Sequence, residues 1–208
     1  MKKELSFYEF VGVLIPSVIL LFFAEMLFEY AYEFQVIDFS KVGETVIFLI
    51  VAYGVGHILH SLGNFLEWLL WKIYGGMPTN WLTKKTRFGQ KLFDDFETKK
   101  ILEKIYSEIG ESAEKDYGRL IYTKLFSKGL TSRIDIFNAN YSLFRGLTVA
   151  FILLGILSTS LLYWEYSLIP FFIAILSLAR MIRFAKLYAT ETYRTYLISL
   201  ENYDKPTF

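Results

Sequence analysis

Residues 45–66 read TVIFLIVAYGVGHILHSLGNFL, 22 positions without a charge between Glu44 and Glu67. A charge at the centre of a bilayer costs roughly 2.5–3.5 kcal/mol even on the lenient insertion scale, so a run this long is what a spanning helix requires. At about 1.5 Å per residue it crosses a ~30 Å hydrocarbon core. Three more uncharged runs flank it: 10–24 with 15 residues, 146–164 with 19 and 166–179 with 14. The two shorter ones gain a turn if Glu25 and Glu29, or Arg180 and Arg183, snorkel towards water. The expectation is an all-α integral membrane protein with four transmembrane helices. Pro16 is expected to kink the first. Met1, Lys2 and Lys3 before an apolar stretch could open a signal peptide, but Ala24 is followed by Glu25-Met26-Leu27-Phe28 and not by a small-residue cleavage site. A retained first span is therefore expected.

The whole chain has 208 residues, 54% hydrophobic and 19% aromatic, with no cysteine and 22 Lys+Arg against 21 Asp+Glu. Its mean hydropathy is +0.36. These totals exclude a disordered chain, which needs low hydrophobicity and excess charge. A disulfide scaffold is excluded as well. Bulk charge gives no support to nucleic-acid binding.

The basic residues orient the spans. Segment 25–44 carries five acids and the single base Lys41, whereas 72–145 has 14 bases against 9 acids and the chain from Arg180 onward has five bases against three acids. Basic flanks favour the cytoplasmic side. Both termini are thus expected in the cytoplasm, with a helical cytoplasmic insertion between spans two and three. Trp68, Trp71, Tyr74 and Trp81 mark one interface, and Tyr163, Trp164 and Tyr166 mark the outer turn of an antiparallel hairpin. The division expected is a transmembrane pair at 1–71, a cytoplasmic segment at 72–145, a transmembrane hairpin at 146–186 and a cytoplasmic tail at 187–208.

Within the insertion, Gly75-Gly76-Met77-Pro78 breaks the helix that leaves span two. Phe96, Ile101, Leu102, Ile105, Tyr106 and Ile109 recur at helical spacing, and Gly110 ends that helix. Ser112 is a cap for the next, whose apolar face is Ala113, Tyr117, Leu120, Ile121 and Leu125, closing at Gly129. Ser132 and Asp135 have capping-box spacing. From Ile134 the phase runs on through Phe137, Tyr141, Phe144, Thr148 and Phe151, predicting one helix of about 30 residues. Its lower half would be cytoplasmic and its upper half in the membrane, coupling the two.

Polar residues inside span two are the candidate site. His57, His60, Asn64 and Glu67 stand at offsets 0, 3, 7 and 10, close to one helix face. Intramembrane ionisable groups are functional hypotheses by default. Three readings stay open: interhelical hydrogen bonding, pore lining, and metal or proton chemistry. Gly56 with Ala52 forms a small-xxx-small pair that suits close helix association. Glu25, Glu29 and Glu33 at the outer end of span one read as a solvated helix end or a cation-gathering vestibule. Arg145, Arg180, Arg183 and Lys186 read as a basic rim on anionic lipid. No histidine lies in the insertion, and Gly-x-x-x-x-Gly-Lys and His-Glu-x-x-His sequences are absent. No enzyme, cofactor or catalytic residue is therefore expected.

Three stretches carry a resemblance: Phe7-Tyr8-Glu9-Phe10-Val11-Gly12 with Ile15-Pro16-Ser17; Tyr53-Gly54-Val55-Gly56-His57-Ile58-Leu59; and Asn140-Tyr141-Ser142-Leu143-Phe144-Arg145-Gly146. With Arg194-Thr195-Tyr196-Leu197 they resemble small four-pass bacterial membrane proteins of unknown function. Size and span count are also similar to the multipass accessory proteins encoded beside RNA-targeting type VI-B CRISPR effectors. That resemblance implies phage defence at the inner membrane, by a pore or depolarising oligomer or by modulating the effector. A related accessory type carries an RNA-binding HEPN-like segment, whose nuclease motif is Arg, four to six residues, then His. Arg133 has no histidine after it, so the chain departs from that motif. The expected partners are the lipid bilayer, further copies of the chain, and a soluble protein if the cytoplasmic helices serve instead as an adaptor.

Overall fold

A computed structural model describes residues 7–33, 37–84, 86–110, 117–161 and 164–201. Met1, Lys2 and Lys3, the cap expected at Ser112 with Ala113, and Tyr163 lie outside the described residues. Among the described residues, seven α-helices follow in order: α1 (Phe7–Glu9), α2 (Ile15–Tyr32), α3 (Val42–Tyr74), α4 (Asp95–Ile109), α5 (Tyr117–Ser127), α6 (Ser132–Leu161) and α7 (Leu168–Glu201). A π-helical turn, Phe10–Leu14, joins α1 to α2, and 3₁₀ turns occupy Pro78–Asn80 and Trp164–Ser167. No strand occurs among the described residues. Four helical stretches are long and apolar enough to cross a membrane: Phe10–Tyr32, Val42–Asn80, Ser132–Leu161 and Trp164–Leu200.

The chain divides into two compact units. The first comprises Met1–Glu67 and Ala139–Ile182. Its helices approach closely through glycine. A Cβ on Gly56 would lie 2.6 Å from the Val13 carbonyl oxygen, and one on Gly146 would lie 2.7 Å from Cγ of Pro16. Pro16 supplies no N–H to the preceding turn, where Ile15 N–H instead reaches the Phe10 carbonyl in the wide π geometry. Leu59, Val149 and Ala150 form the buried centre, with Leu20, Val55, Leu66 and Leu153 packed around them. Hydroxyls return to their own helices: Ser17 donates to the Leu14 carbonyl at 2.8 Å, Thr148 to Phe144 at 2.7 Å and Ser158 to Leu154 at 2.8 Å. This satisfies them where no water is at hand. Apolar side chains such as Ile50, Ile58, Ile169 and Ile175 stay exposed on the outside, as a lipid-facing surface requires.

The second unit comprises Trp68–Asn138 and Arg183–Phe208. Gly75 (φ 87°) and Gly76 (φ 129°) turn the chain after α3, a conformation open to glycine at little cost. Asp94 caps α4, its carboxylate accepting from the Glu97 N–H at 2.7 Å. Gly110 ends α4, and Gly129 (φ 69°) follows α5, with Leu130 N–H returning to the Leu125 carbonyl at 3.0 Å. Ser132 is the first residue of α6 rather than its cap. The Asp135 carboxylate accepts a 2.7 Å bond from the Tyr122 hydroxyl. Burial, and then that bond, raise the Tyr122 phenol above its ordinary range. Lys124 and Glu108 meet at 2.6 Å, which holds the carboxyl low and the ammonium high; being exposed, the pair contributes about 0–1 kcal/mol.

Ile101, Ile105, Ile121, Leu125, Ile134, Tyr193 and Tyr196 form the core of this unit. The two tyrosines come from the region read as a tail at 187–208. Helix α7 continues without a break through it to Glu201. The reason is visible in the sequence of that stretch: Ala189, Tyr193, Tyr196 and Leu200 recur every three or four residues, and the first three are buried. The Tyr193 hydroxyl donates to the Thr79 carbonyl at 2.5 Å.

Candidate functional site

A buried polar cluster of the first unit is built around Arg145 on α6. Its side chain is 7% exposed and pairs with Glu67 through Nη1. Its Nη2 lies 3.1 Å from both ring nitrogens of His60. The guanidinium also faces the Tyr141 ring at 5.7 Å, and the Tyr8 ring meets His60 edge-on at 6.2 Å. Gly63 makes room for the arginine stem, since a Cβ there would lie 3.1 Å from Arg145 Cγ. A planar fork with several donors can serve a carboxylate and an imidazole together, which a lysine ammonium does less well.

The residues expected to act as one face of α3 therefore separate. Gly56, His60, Gly63 and Glu67 lie within a sector of about 60° at ~100° per residue, and this sector packs on α6 and the first span. His57 and Asn64 lie about 40–60° further round and are exposed. His57 meets the Tyr53 ring edge-on at 4.8 Å, and Ser61 donates to the His57 carbonyl at 3.0 Å. Gly54, His57, Ser61 and Asn64 form a second stripe with the 3-4-3 spacing of a coiled-coil seam. All four are exposed, and nothing stands within 4 Å of a Cβ built on Gly54. Exposed apolar residues, Ile58 and Phe65 among them, border the stripe.

The basic residues also separate. Arg180 and Arg183 are exposed, as a rim requires. Lys186 is half-buried, its ammonium 5.4 Å from the Trp81 ring. Arg145 is instead buried in the ion pair, because Glu67 and His60 face it from α3. Among the described residues no three His, Asp or Glu side chains gather as a metal ion would need. Beside His60 and Glu67 the positive charge is supplied by the guanidinium.

Sequence reading named Tyr8, Tyr141 and Ser142 only within the resembling stretches, and Tyr141 also as an apolar helix position, and gave none of them a role at the site. The structure places Ser142 against Gly12, where a Cβ would lie 2.5 Å from its Oγ. Comparison of the chain with family models, with curated proteins and with solved structures finds no match.

Proposed function

We propose that this chain is a non-enzymatic multipass protein of the bacterial inner membrane that assembles as a homo-oligomer through α3. Both termini and the helices α4 and α5 lie on the cytoplasmic side in this reading. The oligomer permeabilises or depolarises the membrane in phage defence, as an accessory to an RNA-targeting CRISPR effector. The defence setting rests on the resemblance in size and span count to those accessory proteins, and the stretches around Pro16, His57 and Arg145 support only a four-pass bacterial membrane protein.

The observation that carries the reading is the stripe Gly54, His57, Ser61 and Asn64, exposed on an otherwise apolar face. Imidazole and carboxamide groups turned to hydrocarbon are costly, and a second copy of the same stripe offers them hydrogen bonds. A ring of such stripes would also line a polar path. His60 and Glu67 are engaged within the monomer by Arg145, which leaves the exposed stripe for association.

The test is ion flux from liposomes containing the purified chain. The wild type is expected to leak. His57→Leu with Asn64→Leu removes two bonds worth about 1 kcal/mol each per contact, so flux at equal protein should fall about tenfold or more. Flux equal in both proteins, or absent from the activated wild type, contradicts the reading; absence from the activated wild type is what a non-pore adaptor would give.

A further inference from the structure

A groove of about 580 Å³ opens between α2 and α3 in the first unit, at the end of the helices away from Arg145. Leu21, Phe28, Ile47 and Phe48 supply apolar walls, and two carboxylates, Glu25 and Glu44, stand among them. Among the described residues, no lysine, arginine or histidine lines it. Volume and composition match those of small-molecule sites, which combine an apolar lining with a few placed polar groups.

Both carboxylates are held in position by residues 37–41. Glu25 is 9% exposed, and its Oε1 accepts from the Ile37 N–H at 3.0 Å. Glu44 accepts from the Asp38 N–H at 2.6 Å through Oε2, while Oε1 meets the Lys41 ammonium at 3.1 Å. Lys41 is shared with Asp38 at 3.3 Å. Across segment 25–44 the acids are Glu25, Glu29, Glu33, Asp38 and Glu44 and the base is Lys41, a formal balance of 1 − 5 = −4. Two aromatic residues, Phe28 and Phe48, belong to the lining.

We infer that this groove binds a hydrophobic monocation, an ammonium or phosphonium centre carried on an apolar body. The charge balance selects the sign, and the lining selects the body. An anion of the same shape is repelled, and a hydrocarbon chain makes no use of the two carboxylates. The inference stands apart from the association stripe, since none of Gly54, His57, Ser61 or Asn64 lines the groove.

Tetraphenylphosphonium and its anionic isostere tetraphenylborate are the probes. Each is dialysed to equilibrium against the full chain in neutral micelles, with protein-free micelles as the reference. Saturable binding of the cation near one per chain is expected, with none of the anion. Glu25→Gln should weaken it at least about tenfold. Val51→Trp, which fills the groove and keeps both carboxylates, should abolish it, so the inference is decided even if the first variant fails to fold. Saturable binding of both ions alike, or cation binding untouched by Val51→Trp, overturns it. So does binding of neither ion, including the case in which Val51→Cys cross-links to a second copy and thereby assigns the groove to self-association.

Discussion

Arg145→Leu is expected to destabilise the first unit by about 3–5 kcal/mol, the largest effect of any single polar substitution here. The cost is not the loss of a favourable contact alone. Glu67 is 17% exposed and stands beside a 7% exposed guanidinium. Without the guanidinium that carboxylate loses its counter-ion in a low-dielectric setting, and His60 loses the donor 3.1 Å from its ring. Arg145→Lys should recover only part of the loss, because one ammonium cannot satisfy both partners in the same geometry. The double substitution Arg145→Leu with Glu67→Leu should return close to the wild type, since replacing both members of a buried pair is often neutral or stabilising. The midpoint of unfolding in mixed micelles reads all three. A wild-type midpoint for Arg145→Leu would mean that the pair contributes nothing.

The second large effect contrasts two glycines two residues apart. Gly56→Leu is expected to cost about 1–3 kcal/mol or more, because the added Cβ meets a backbone oxygen, that of Val13, at 2.6 Å. Backbone cannot swing aside as a side-chain tip can, so α3 must move from the first span. Gly54→Leu meets nothing within 4 Å. It should leave the monomer's unfolding midpoint unchanged or slightly higher, since leucine is the better helix former. Placed in the exposed stripe, however, it should block close approach of a second copy and shift the protein to monomers on sizing in detergent. Equal behaviour of the two variants in both measurements would remove the distinction between the inner and outer faces of α3.

The four helical stretches long and apolar enough to span a membrane were legible because the signal is an absence: a run of 22 uncharged residues at 45–66 has few alternatives to a membrane or a deep core. The glycine breaks after Tyr74, at Gly110 and at Gly129 were legible because φ near +69° to +129° is open to glycine at little cost. The thirty-residue helix Ser132–Leu161 followed from one unbroken phase of apolar positions. Arg145 was not legible as a buried group, because a base at the edge of an uncharged run looks the same whether it snorkels or pairs. The clue lay elsewhere, in His60 and Glu67 spaced seven apart on α3: two ionisable groups on one stripe of a spanning helix call for a cation opposite. The separation of His57 and Asn64 from His60 and Glu67 turns on about 40–80° of helix rotation. Offsets alone do not resolve that rotation, whereas the packing of Gly56 and Gly63 fixes it. Likewise, Tyr193 and Tyr196 lie beyond the last uncharged run, so their burial depended on the tertiary core formed with Ile101, Ile121 and Leu125.

Self-association through the outer stripe of α3 is the central claim, and the absence of cysteine makes it directly measurable. Single cysteines are placed in turn along α3, and disulfide formation between copies is followed in native membranes. Gly54→Cys, His57→Cys, Ser61→Cys and Asn64→Cys should cross-link, while Ala52→Cys and Leu59→Cys, at 0% and 2% exposed positions, should not. Cross-linking at none of the four, or equally at all six, would contradict it.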